Sequence, residues 1–189
     1  MRKGQTSLLI VMVILSVITI STLIRAEVVI NEPSNQTKSI DYEKYLKIES
    51  AKNSYAFYDV PLTLTQQKEV QKLCEKYNIP YEIVLGIMKI ESNFNVDAQN
   101  GDCIGIMQVN TINKIEYEKE WKELGIRELN KFYQGIEAGC FVFSKCKGET
   151  IEEKLIAYNE GNNGYMALKN KGITSTEYSR KVLEYAMNL

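Results

Sequence analysis

The sequence predicts a mainly α-helical domain with a small irregular or β-hairpin segment, preceded by an N-terminal transmembrane helix. Three observations predict it. An uncharged apolar run lies close to the start, apolar residues recur at helical spacing from about Leu62 onward, and a stretch rich in Gly, Asn and Asp interrupts that pattern between Phe94 and Asn110. The chain has 189 residues, 44% hydrophobic and 25% charged, which suits one domain with a buried core and leaves no room for two sizeable ones.

Arg2 and Lys3 precede the run Ser7 to Ile24, which holds no charged residue. As a helix it spans about 27 Å at ~1.5 Å per residue, close to the ~30 Å hydrocarbon core of a bilayer. Ile24 stands where a cleavage site before Ala26 wants a small residue, which favours an uncleaved signal anchor over a cleaved secretory signal. The leading positive charges put the N-terminus in the cytoplasm and the remainder outside. Under either reading residues 1–27 export the rest of the chain. Residues 28–62 are mixed and polar, bounded by Pro33 and Pro61, and read as an extracytoplasmic linker. Residues 63–189 form the folded domain.

Within that domain Val70, Leu73, Cys74 and Tyr77 form an i, i+3, i+4, i+7 stripe. Asn78-Ile79-Pro80 ends the helix, and Pro80 suits the first turn of the next. That next helix carries Val84, Ile87, Met88 and Glu91 on one face. The acidic stretch Glu116 to Glu123 reads as a solvated helix face with Trp121 as its anchored aromatic. Thr150 with Glu153, and Thr174 with Glu177, are capping-box patterns that open two further helices.

Composition excludes several chemistries. There is no histidine, so Ser-His and Cys-His nucleophilic sites and imidazole-ligated zinc are ruled out. From residue 63 onward 16 Lys and Arg face 18 Asp and Glu, a balance that argues against nucleic acid as partner. Cys74, Cys103, Cys140 and Cys146 contain no C-x-x-C pair. In an exported domain they are candidates for one or two disulfides, with buried thiols as the other reading.

Glu91 is the foremost catalytic candidate. It falls on the apolar stripe close to its helix's end, and a carboxyl held against apolar surface has its charged form disfavoured, as a general acid near neutral pH requires. Glu91-Ser92-Asn93-Phe94 is followed by Gly105-Ile106-Met107-Gln108, then Ala157-Tyr158-Asn159-Glu160-Gly161, then Tyr178 before Lys181-Val182. Four motifs in this order resemble the catalytic domain of soluble lytic transglycosylases and the related goose-type lysozymes, over roughly residues 65–187. Gly135 to Gly139 is similar to that family's Asn-Ile-x-x-Gly helix start, with Gly in place of Asn. Gln99, Asp102 and Cys103 depart from the usual Ser and Gly-Ala.

The resemblance implies a lysozyme-like fold and a peptidoglycan lytic transglycosylase that cuts the β-1,4 bond between N-acetylmuramic acid and N-acetylglucosamine. It implies Glu91 as acid and base, Ser92 as support for the helix end, and Gln108 as hydrogen-bonded to a sugar substituent. Tyr158 and Asn159 would frame the cleft, and Tyr178 would line it from the last helix or join the core. No metal or cofactor is called for. The implied partners are peptidoglycan strands and the membrane, with secretion, conjugation or cell-wall machinery as a further candidate. A hydrolytic lysozyme, with Asp97 or Asp102 activating water, and a non-catalytic wall-binding component are the competing readings. Asn110 stands where goose-type lysozymes commonly have Asp, which favours the transglycosylase.

Overall fold

A computed structural model describes residues 55–189. The expected membrane-spanning run and most of the expected linker lie outside the described residues. Among the described residues no helix is long and apolar enough to cross a membrane.

Helix α1 (Leu64–Tyr77) opens on a capping box: Thr63 accepts from the Gln66 amide, and the Gln66 side chain accepts from the Thr63 N–H. It ends where Asn78 turns left-handed at φ 52°. Helix α2 (Tyr81–Ser92) follows after three residues, and every residue from Tyr81 to Met88 is buried. A helix apolar nearly all round belongs in a core, and α2 is the central one. Gly86 lets the last helix, which carries Val182, approach, since a Cβ there would stand 2.7 Å from the Val182 carbonyl oxygen.

Two successive left-handed residues, Asn93 and Phe94 (φ 52° and 65°), end α2. That conformation is ordinary for Asn and costs a bulky residue about 1–3 kcal/mol. Phe94 is held there by burial and by its ring contact with Tyr185, 6.4 Å between centroids. The Gly- and Asn-rich stretch then forms three two-residue strands, β1 (Gln99–Asn100), β2 (Cys103–Ile104) and β3 (Val109–Asn110), antiparallel in the order β1-β2-β3. This is the hairpin expected from sequence plus a third strand.

Helices α3 (Ile112–Glu116) and α4 (Glu118–Leu124) are short. Trp121 is the buried residue of α4, as its acidic surroundings predict. Helix α5 (Phe132–Lys145) packs on α1 and β3. Helix α6 (Ile151–Asn170) opens on the predicted Thr150–Glu153 capping box and runs well past Tyr158, broken at Gly161 (φ 73°, ψ 161°). The last helix, α7 (Glu177–Met187), is capped by Thr176 with Ser179, not by Thr174 with Glu177. Ser179 is fixed in that role because its hydroxyl also donates to Glu152 of α6 at 3.1 Å.

The final residues of the expected linker belong to the domain. The Gln71 amide exchanges hydrogen bonds with the N–H and C=O of Ala56 (2.8 and 2.7 Å), and Gln67 does the same for Tyr58 (2.9 and 3.0 Å). Gln67 also donates to Leu62 and accepts from the Tyr81 hydroxyl. Two buried glutamines thus supply the partners that a neighbouring strand would supply, and the segment lies along α1.

Candidate active site

Glu91 occupies the penultimate position of α2, one turn beyond the buried Ile87 and Met88. Its side chain lies between core and solvent. Burial pushes its carboxyl above the ordinary glutamate range, and the Tyr178 hydroxyl works against that rise. The two opposing influences leave a carboxyl that holds its proton more readily than a hydrated one yet has a donor ready for its charged form.

Tyr178 reaches this point from the first turn of α7. Burial, then the charge of Glu91, push its phenol well above the ordinary tyrosine value, so it stays protonated. Its oxygen sits against Glu91 without an aligned hydrogen bond and has no other partner. Apo sites often leave such bonds loose until substrate closes them.

Two hydroxyls tie the loop after β2 to its neighbours. Ser92 Oγ donates to the Ile106 carbonyl at 2.8 Å and to Met88 at 3.2 Å. Tyr158 of α6 donates to the Met107 carbonyl at 2.9 Å, with its ring 5.9 Å from that of Phe143. Burial and the nearby Glu91 charge raise the Tyr158 phenol well above its ordinary value. Gln108, left-handed at φ 47°, donates from Nε2 to the carbonyls of Ala98 (3.0 Å) and Gly105 (2.9 Å). Both amide donors are therefore spent on the loop. What Gln108 has left for a ligand is its Oε1, an acceptor for an N–H or O–H.

The loop is seated by close backbone approaches. A Cβ on Gly105 or on Gly135 would fall 2.1 or 2.3 Å from the Leu129 carbonyl oxygen, and one on Gly139 would fall 2.4 Å from Met107 Sδ. Met107 is fully buried, as is Ala157 apart from a trace, so both are packing residues.

The structure thus brings Glu91, Ser92, Tyr158 and Tyr178 together, with Gln108 bracing the loop between them. It does not bring in Asn159, which is exposed and whose amide donates to Glu160 at 2.7 Å. Asp97 and Asp102 are exposed and neither shifts the Glu91 carboxyl. Among the described residues no cluster of three or more metal-ligating His, Cys, Asp or Glu side chains occurs.

Cys103, considered from sequence as a disulfide partner, is a free thiol that faces Asn110 across β2 and β3. Burial first and the Glu91 charge second keep it a neutral thiol. Cys103, Cys140 and Cys146 are free thiols, and burial pushes Cys146 up to about 12.

A family model described as the transglycosylase SLT domain matches residues 68–179, which takes in every residue of this site. No curated protein matches the chain.

Proposed function

The chain belongs to the transglycosylase SLT family, and from that premise we propose that it is a peptidoglycan lytic transglycosylase with Glu91 as its single acid and base. The observation that carries this reading is the Glu91 carboxyl itself, desolvated at the end of α2 and faced by the Tyr178 hydroxyl. Glycosidases with two working carboxylates keep them about 5–9.5 Å apart across the scissile bond. Here Asp97 and Asp102, the two acidic side chains between Glu91 and Gln108, are exposed.

In this scheme protonated Glu91 gives its proton to the oxygen of the β-1,4 bond as that bond breaks. The N-acetyl group of the muramic residue stabilises the positive charge developing at the anomeric carbon. Glu91, now ionised and supported by Tyr178, takes the proton of the muramic 6-hydroxyl as that oxygen closes onto the anomeric carbon. The product is a 1,6-anhydro sugar. Gln108 Oε1 accepts a hydrogen bond from a sugar substituent, and Tyr158 and Ser92 keep the loop fixed while Glu91 changes charge. The run Ser7 to Ile24 anchors the enzyme in the membrane with its domain outside, so that the tether limits cleavage to nearby strands; secretion, conjugation and wall-growth machines are the partners such reach suits.

Digestion of purified cell walls tests the assignment. The wild type should release fragments ending in anhydro-muramic acid by mass spectrometry, and Glu91→Gln, which keeps shape but has no transferable proton, should bind walls without clearing them. Reducing muramic ends from the wild type would make it a hydrolytic lysozyme; equal clearing by both forms would remove Glu91 from the chemistry.

A further inference from the structure

The segment docked ahead of α1 leaves one face uncovered. Its burial alternates: Ala56, Tyr58 and Val60 are half-buried and Leu62 is buried, whereas Tyr55 and Phe57 are 37% and 49% exposed. An extended chain puts side chains two residues apart on one face, so the two rings project together. Asp59, the next exposed residue, lies where the chain bends. Helix α1 continues the face. Lys68 Nζ stands 4.9 Å from the centre of the Tyr55 ring, and Leu64, one turn before Lys68, is 65% exposed. Glu69 is taken by Lys72 at 2.7 Å, and Lys68 forms no ion pair among the described residues.

Aromatic rings beside an unpaired lysine suit a bilayer interface, where rings sit at headgroup level and the lysine stem lies along apolar surface with its ammonium among the phosphates. The chain itself says which surface is at hand. Residues 25–54 separate the run Ser7 to Ile24 from Tyr55. Fully extended they reach at most about 100 Å at ~3.3 Å per residue. A bilayer holding that run therefore meets the patch at high effective concentration, whereas a free partner must find it by diffusion. Three apolar side chains and one charge are too few for lasting membrane binding alone, but a tether makes the docking intramolecular. We infer that Tyr55, Phe57, Leu64 and Lys68 form a lipid-docking patch that lays the catalytic domain against the bilayer holding its anchor. This rests on the reading of Ser7 to Ile24 as a membrane anchor. Docking cancels the reach of the tether, and the strands cut are those that lie closest to the membrane.

The full chain is reconstituted into vesicles of phosphatidylcholine, or of equal parts phosphatidylcholine and phosphatidylglycerol, with and without brominated acyl chains that quench tryptophan on contact. Phe57→Trp places a reporter in the patch, and the buried native Trp121 gives the baseline. Wall digestion at the wild-type rate confirms that the variant folds. The reporter should be quenched by bromine, and adding Lys68→Gln should lower the docked-to-undocked ratio about fivefold in the anionic vesicles, the worth of one lysine near such a surface. Ile115→Trp, at an exposed position of α3, should stay at the Trp121 baseline. A Phe57→Trp chain that floats with the vesicles yet is not quenched overturns the patch and leaves the anchor standing. Equal quenching at positions 57 and 115 also overturns it, because the domain then touches lipid without a preferred face. So does shielding without quenching that grows with the protein-to-lipid ratio, which would make a second copy the occupant. A chain that fails to float overturns the anchor and the inference together.

Discussion

The Ser92 hydroxyl donates to the Ile106 carbonyl at 2.8 Å, joining the last residue of the helix that carries Glu91 to the loop that carries Gln108. The end of the Glu91 helix and the Gln108 loop are therefore tied together. Ser92→Ala leaves a part-buried carbonyl without its donor, at a cost of about 1 kcal/mol in stability. Turnover should suffer more than stability, because small misplacements of reacting groups are expensive. We expect a small drop in melting temperature and a fall of about tenfold in kcat. A variant with wild-type turnover would show that the tie does not position the acid.

The Tyr178 hydroxyl favours the charged form of Glu91, against burial. Tyr178→Phe removes that support, so the Glu91 pKa rises further. The proton-donating form then survives to higher pH, and the alkaline limb of kcat/KM against pH should move up while the maximum falls. Titration of activity across pH 4 to 9 checks the sign; a limb that moves down would place Tyr178 elsewhere in the mechanism.

Burial of Glu91 has a second consequence, in stability. Its folded pKa lies above the unfolded value of about 4.3, so the folded state binds the extra proton. Stability therefore falls as pH rises from the unfolded pKa through the folded one. Glu91→Gln escapes this loss. Its melting temperature should match the wild type's below that window and exceed it at neutral pH. Equal melting temperatures at pH 7 would mean that the carboxyl is as well solvated folded as unfolded.

The helix that bears Glu91 was legible because Val84, Ile87 and Met88 repeat at helical spacing, and Thr150 with Glu153 marked the start of α6 as it stands. The start of α7 was misplaced by one cap because Thr174 and Thr176 both offer a hydroxyl, and the choice is made by Glu152 of a different helix. Likewise α6 continues beyond Tyr158 because Gly161 takes a non-helical conformation and the chain resumes the helix after it. The docking of residues 56–62 left no periodic signal, since it runs through the backbone into Gln67 and Gln71. Motif order named Glu91, Ser92, Tyr158 and Tyr178, which the fold brings together. The facing of Cys103 and Asn110 carried no such signal, because it depends on the register of β2 against β3.

Gln67 is 1% exposed and serves Tyr58, Leu62 and Tyr81 at once. Gln67→Leu keeps the volume and strands these groups, at a cost of about 2–4 kcal/mol. Urea unfolding should show the lower midpoint. A variant of Gln66, half-buried at the helix start and bonded to Thr63, should cost about 1 kcal/mol or less. Equal losses would mean that the docked segment adds nothing to the domain.

Gly139 of α5 lies under Met107, and a Cβ there would meet the methionine Sδ, Cβ and Cε at 2.4 to 2.8 Å. Met107 is fully buried and its carbonyl receives the Tyr158 hydroxyl, so it has little room to yield. Gly139→Ala should cost about 1–3 kcal/mol by overpacking and, by shifting the loop, slow wall cleavage. Because the clash is with one side chain, Met107→Ala in the same chain should restore part of the stability lost, a coupling that a double-mutant cycle reads directly. Additive losses in that cycle would mean that Gly139 is required for the helix alone and that the loop is seated by Gly105, Gly135 and the Leu129 carbonyl.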